Sequence, residues 1–154
     1  MSVAIVTGSA SLVGAVAVKL FAARGPEIVG IDNDRRKLFF GDATSTAWNR
    51  GLLLETVPHY RHDDIDILDQ EKIGALFKKY GKDIAVVIHT AAQPSHNWAS
   101  NHPCTDFTIT ASGTLGSLKA FRAHCLDAVF LNIGTNKVYG DAPNELPLIE
   151  ETSG

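Results

Sequence analysis

Gly8, Gly14 and Asp32 form the spacing with the clearest chemical consequence in this chain of 154 residues. Gly8 follows the apolar run Val3, Ala4, Ile5 and Val6, which has the continuous hydrophobicity of a strand covered on both faces. A glycine there permits a sharp turn into a helix, and Gly14 lets that helix lie close against the strand. The geometry aims free backbone N–H groups and the positive end of the helix dipole at one point, an arrangement that favours a pyrophosphate. Where a middle glycine is expected, the chain has Ser11. A second apolar strand, EIVGID, ends at Asp32, near the roughly 20-residue spacing at which a carboxylate holds an adenosine ribose. A glycine turn alone is a weak signal, and Asp32 alone has a bland reading as a solvated loop residue. The succession of strand, turn, helix, strand and carboxylate joins the two into a dinucleotide site.

Further polar groups fall where later strands should end. RHDDIDILD follows the third strand, where Asp64 and Ile65 can meet an adenine; the alternative is a solvated cluster beside a helix cap at Asp69. HTAAQPSHN follows the fourth: Ala91 and Ala92 leave room for a flat ligand, and Gln93, Ser95 and His96 are expected to face a cleft. IGTNKVYGD follows the fifth and presents Thr135, Asn136, Lys137 and Tyr139. Arg35, Arg36 and Lys37 offer charge to a 2′-phosphate, but Asp32 would repel that group, so NAD is expected over NADP. His59 and His62 lack a third partner and do not suggest a metal site. Thr135 with His89 or His96 does not suggest a hydrolase, since no strained nucleophile elbow accompanies it. Trp48 and Trp98 read as packing residues.

The elements that must position these groups alternate. Strands are expected near 2–7, 27–32, 58–63, 84–90 and 127–133, and helices near 11–24, 44–54, 69–80 and 103–123, with an irregular polar segment after Asp32. The first helix carries Leu12, Val13, Val16, Leu20 and Phe21 on one side, and the last carries Phe107, Leu115, Leu118 and Phe121. Alternation of strand and helix implies right-handed crossovers, a parallel α/β sheet in the order 3-2-1-4-5, and ligands at the carboxyl ends where the winding reverses. The 154 residues are expected to form one domain, with no internal repeat or low-complexity segment and no second domain expected within them. Apolar residues make up 45% and charged residues 20%, ordinary for a soluble globular protein. A net charge of −3 gives no electrostatic reason to expect nucleic acid or an anionic membrane. Cys104 and Cys125 are expected as reduced thiols, and neither a membrane span nor a signal peptide is evident, so a cytoplasmic location is expected.

HTAAQ (89–93), PCTDFTITASGTLGSLKAFR (103–122) and TNKVYGD (135–141) together resemble the extended short-chain dehydrogenase/reductase family, the NAD-dependent nucleotide-sugar epimerases and dehydratases. Within it, the last two blocks look most like the CDP-paratose 2-epimerase (CDP-tyvelose epimerase) branch. The resemblance runs from residue 3 to about residue 150, and implies a Rossmann-like doubly wound fold and bound NAD. Members of that branch oxidise a sugar carbon transiently and reduce the planar ketone on its other face. Carried onto this chain, the resemblance places Gly8, Ser11, Leu12, Val13 and Gly14 at the pyrophosphate and Asp32 and Asn33 at the ribose. It places Asp64 and Ile65 at the adenine, Ala91, Ala92 and Gln93 beside the nicotinamide ribose, and Thr110 among the cofactor-binding residues. Thr135 matches the hydroxyl that hydrogen-bonds the sugar oxygen being oxidised, a group able to donate and accept in turn.

The departures are equally specific. The family's base is a tyrosine with a lysine four residues on, whose charge lowers the phenol pKa. Here Tyr60, Tyr80 and Tyr139 are followed at that spacing by Asp64, Ile84 and Pro143. The usual asparagine at 110 is Thr, and the usual serine at 134 is Gly. In the family the YxxxK helix and the substrate domain lie beyond the equivalent of residue 154. The chain therefore reads as the N-terminal, cofactor-binding part of an epimerase, acting on a nucleotide-sugar only if a C-terminal half completes it. The uncovered apolar surface around Phe107, Leu115 and Leu118 is expected to produce a homo-oligomer. Two other readings stay open: a non-catalytic dinucleotide-binding module, and a degenerate copy that folds without ligand.

Overall fold

The computed structural model describes residues 2–93, 95–135 and 139–147. Five parallel strands form one sheet: β1 (Val3–Thr7), β2 (Glu27–Ile31), β3 (Tyr60–Asp63), β4 (Ile84–His89) and β5 (Val129–Asn132). Their order is β3-β2-β1-β4-β5, the doubly wound arrangement expected. β1 is buried along its whole length and pairs with β2 from Val3↔Glu27 to Thr7↔Ile31, so Thr7 and Ile31 finish side by side. The reversal of winding falls between β1 and β4, with Thr7 opposite His89.

Helices cover both faces. On one, α1 (Leu12–Ala22) and α3 (Ala47–Thr56) bury Ala15, Ala17, Val18 and Leu53 against Ala4, Val6, Ile28 and Ile88. On the other, α4 (Gln70–Tyr80) and α7 (Gly113–His124) bury Ile73, Leu76, Phe77 and Ala120 against Ile5, Val29, Ile31 and Val87. The short helices α2 (Arg36–Phe40), α5 (His96–Asn101) and α6 (Pro103–Phe107) sit in connections the sequence reading left irregular or merged with a neighbour.

Three expectations are met only in part. On the apolar side of α1 Phe21 packs against the core, but Leu12 is 83% exposed, and Val13, Val16 and Leu20 are exposed with it. The small residues Gly14, Ala15 and Ala17 lie beneath, because the helix approaches β1 too closely for larger side chains. The helix expected over 103–123 runs unbroken from Pro103 to His124, but it contains a π-turn at Thr108–Ser112 between α6 and α7. Trp48 is 71% exposed and does not pack, whereas Trp98 meets Phe39 edge-on with ring centroids 4.6 Å apart. Phe107, Leu115 and Leu118 are exposed, and Cys104 (exposed) and Cys125 (buried) are free thiols.

Candidate functional site

The carboxyl ends of β1, β2 and β4 surround a cleft of about 260 Å³. Its floor is the turn after β1. Gly8 takes φ +66°, and a Cβ there would press on Thr90 and the Ala91 backbone within 3.0 Å. Gly14 is tighter: a Cβ would stand well under 3.0 Å from the Gly8 carbonyl. The Ile31 carbonyl accepts from both Gly8 N (2.7 Å) and Ser9 N (3.2 Å), fixing the turn to the end of β2.

Ser11 replaces the middle glycine without crowding the cleft. It is the N-cap of α1, its hydroxyl donating to the Gly8 carbonyl (2.6 Å) and accepting from Gly14 N (3.4 Å). Its Oγ therefore turns into the helix end rather than toward a ligand. The Leu12 and Val13 amides begin α1, whose first turn carries no acidic side chain, so the dipole there favours an anion.

Asp32 stands at the end of β2 with its carboxylate fixed. Oδ2 accepts from Ala10 N (3.1 Å) and Oδ1 from Asp34 N (2.8 Å). Asp34 has left-handed φ (+53°) and turns its own carboxylate away, toward Ser45 Oγ (2.6 Å) and Thr46 N (2.7 Å). Burial raises the Asp34 pKa, but the Ser45 and Thr46 hydrogen bonds and Lys37 outweigh it, leaving the carboxyl below its ordinary value. The three cations beside Asp32 are likewise engaged. Arg35 pairs with Asp66, Arg36 lies over the Phe40 ring at 5.3 Å, and Lys37 Nζ reaches Asp34 at 3.5 Å.

Two buried polar chains leave the turn from either side of Gly8. Thr7, fully buried, meets His89 Nδ1 at 2.8 Å, and His89 Nε2 meets Thr114 Oγ1 at 2.9 Å. Thr114 donates to the Thr110 carbonyl (2.6 Å), so it accepts from His89 Nε2–H; Nδ1 then accepts from Thr7, whose oxygen receives Ala91 N–H (3.2 Å). Every donor and acceptor is used by a neutral ring, and burial lowers the His89 pKa to about 4. This chain braces the Ala91 wall and the π-turn, from which Ile109 reaches the cleft. The second chain runs from Ser9 Oγ to Tyr60 Oη (3.0 Å), to His62 Nδ1 (3.1 Å), and from His62 Nε2 to the Asp32 carbonyl (3.1 Å).

Of the residues singled out by sequence, Gly8, Ser11, Leu12, Val13, Asp32, Asn33, Arg35, Arg36, Ile65, Ala91 and Ala92 line the cleft. Gly14 underlies the turn. Asp64 is exposed beside the cleft, with Ile65 and Asp66 turned into it instead. Gln93 is buried, and its amide clasps the Ser95 backbone, donating to Ser95 O at 2.9 Å and accepting from Ser95 N. Thr110 is exposed on the π-turn, one residue from Ile109. Thr135 follows β5 and is exposed, outside the lining set. Asn136, Lys137 and the His96 side chain lie outside the described residues. Sequence reading did not single out Phe39, Thr46, Asp66 and Ile67 as cleft-lining; of these, Asp66 and Ile67 carried a signal in continuing the run that begins at Asp64.

The fold is an α/β domain of the doubly wound class, with its cleft at the point where the winding reverses. Residues 4–154 match the NAD dependent epimerase/dehydratase family, and the chain belongs to it. The CDP-paratose 2-epimerase of Salmonella typhi is 28% identical over 137 residues, 89% of this chain and 38% of that protein. The UDP-glucose 4-epimerase of Mus musculus is 31% identical over 151 residues, 97% of this chain and 42% of that protein. Among solved structures, the UDP-glucose-4-epimerase of Stenotrophomonas maltophila with bound NAD and formylated UDP-arabinopyranose aligns with a TM-score of 0.68 at 26% identity, covering 91% of this chain and 38% of that one. The chain thus spans about two fifths of the length of these relatives. No helix among the described residues is long and apolar enough to cross a membrane.

Proposed function

We propose that this chain is the NAD-binding portion of a nucleotide-sugar epimerase, resembling CDP-tyvelose (CDP-paratose 2-) epimerase. The observation that carries the reading is the Asp32 carboxylate, held by Ala10 N and Asp34 N beside the Gly8–Gly14 turn. The residues present fit the cofactor. The Leu12 and Val13 amides would hold the pyrophosphate and Asp32 with Asn33 the adenosine ribose. Ile65 and Ile67 would flank the adenine, and Ala91 and Ala92 the nicotinamide ribose. NAD, when bound, supplies hydride acceptance and return at a sugar carbon. Asp32 favours a free 2′-hydroxyl and repels a 2′-phosphate, and Asp66 offsets the charge of Arg35, which lines the same cleft.

Turnover needs a base for the sugar hydroxyl, and none of the three tyrosines has the lysine that would lower its pKa. Tyr60 is moved the wrong way: burial and the nearby Asp32 raise its pKa, against the Ser9 hydrogen bond and Arg50. Thr135 would hydrogen-bond a sugar oxygen but cannot serve as that base. These 154 residues are therefore expected to bind cofactor and not to epimerise a nucleotide-sugar alone. The exposed Phe107, Leu115 and Leu118 favour a homo-oligomer. The unpaired Cys104 and Cys125 suit the reducing cytoplasm.

Thermal melting with added NAD tests the reading. A ligand at 100 times its Kd adds about 2.7 kcal/mol to stability, a rise of several degrees for a domain of this size. NAD should raise Tm more than NADP does; an unchanged Tm with both would support the reading of a copy that folds without ligand.

A further inference from the structure

The Ser9–Tyr60–His62 chain closes on itself. Its last contact is the Asp32 carbonyl; the carboxylate of that same residue accepts from Ala10 N, and Ala10 is peptide-bonded to Ser9. The ring joins the turn after β1, the end of β2 and β3. A carbonyl only accepts, so His62 Nε2 carries the proton and Nδ1 accepts from Tyr60, which in turn accepts from Ser9. Burial and Arg50 hold the His62 pKa below its ordinary value despite the pull of Asp32 and Asp64, which keeps this neutral form at pH 7. Asn49 of α3 ties down the same corner, donating to the Ala10 carbonyl at 2.8 Å.

Gly30 is a second, independent sign that the ring is built in. A Cβ at Gly30 would stand within 3.0 Å of both Tyr60 Oη and Ser9 Oγ, so the strand is kept bare where those oxygens meet. Neither Tyr60 nor His62 lines the main cleft, and Ser9 is fully buried. Their contacts act on Asp32 from below.

We infer that Ser9, Tyr60 and His62 are positioning residues that set the Asp32 carboxylate for ribose recognition, so that the preference for a free 2′-hydroxyl over a 2′-phosphate depends on this ring. The inference rests on the NAD-binding reading and adds residues that the ligand does not touch. A merely structural role would lower Tm and weaken NAD and NADP alike; a positioning role changes their ratio.

The test is calorimetric titration of the full chain with NAD and with NADP, for the wild type and for Tyr60→Phe, Ser9→Ala, His62→Gln and His62→Ala. In Tyr60→Phe the NAD:NADP ratio should fall about fivefold, the effect of one buried hydrogen bond between neutral groups. Ser9→Ala supplies the same comparison should Tyr60→Phe fail to fold. His62→Gln, which keeps an N–H for the Asp32 carbonyl, should retain most of the ratio that His62→Ala loses. Nitrogen-15 spectra of the ligand-free protein should show His62 protonated at Nε2 and bare at Nδ1. A wild type that prefers NAD, with variants whose ratio is unchanged, overturns this inference alone. An Nδ1-protonated His62 also overturns it, and a wild type that binds neither dinucleotide overturns this inference and the NAD-binding reading together.

Discussion

His62 and His89 sit in polar chains that leave Gly8 in opposite directions, and they brace opposite ends of one cleft. Each ring accepts at Nδ1 from a hydroxyl and donates at Nε2. Their surroundings differ. His89 is 2% exposed, with two threonine hydroxyls as its partners and the Phe130 ring 5.8 Å away. His62 is half-buried among Arg50, Asp32 and Asp64, whose charges oppose one another at the ring. An apolar setting makes the first histidine a fixed strut between β1, β4 and α7. The charged setting makes the second a part of the machinery around Asp32. The same side chain serves two purposes because burial, not hydrogen-bond pattern, decides how freely it can take a proton.

The largest effect should come from the residue that both chains depend on. Gly14→Ala would force the Gly8 carbonyl aside and disturb Thr7 and Ser9 together, at a cost on the order of 3 kcal/mol or more. Chemical denaturation would measure it, and a loss below about 1 kcal/mol would mean that the turn is not the shared anchor.

His89 offers a comparable effect through pH. The unfolded ring titrates near 6.5 and the folded one at about 4, so the unfolded state binds more protons between those values. Stability present above pH 6.5 should be lost progressively down to about pH 4, by about 3 kcal/mol from this group. His62, lowered for the same reason, adds in the same direction. Denaturation midpoints across this range, for the wild type and His89→Gln, separate the two histidines: the variant should show a flatter acid limb. An unaltered limb would assign the acid sensitivity elsewhere.

Ser11→Ala should be the smallest perturbation. Losing the N-cap costs about 1 kcal/mol, and since Oγ faces the Gly8 carbonyl rather than the cleft, NAD affinity should stay within about threefold of the wild type. A much larger loss of affinity would show the hydroxyl to be a ligand contact after all.

The sheet was legible because parallel strands buried on both faces must be apolar runs, and VAIV, EIVGI and IAVVIH announce themselves. The cleft's glycines and Asp32 were legible because their functions are local. The packing side of α1 was not: the sequence shows a Leu12, Val16 and Leu20 stripe, while close approach to β1 selects Gly14, Ala15 and Ala17. Nothing in 103–123 announces the π-turn, where the Thr110 carbonyl accepts from Thr114 and Thr114 in turn meets His89, a partner 25 positions away. The polar chains join residues 82 and 51 positions apart, so no spacing rule could pair Thr7 with His89 or Ser9 with Tyr60. Gly30 was the one available sign, a glycine inside an otherwise apolar strand.

The most direct test is a calorimetric titration of the wild type and Asp32→Ala with NAD and then NADP. The wild type should bind NAD saturably and more tightly than NADP. Asp32→Ala should lose about tenfold or more in NAD affinity and most of its preference. No heat at millimolar NAD, or a wild type that binds NADP as tightly as NAD, would contradict the assignment of this cleft to an adenosine ribose read by Asp32.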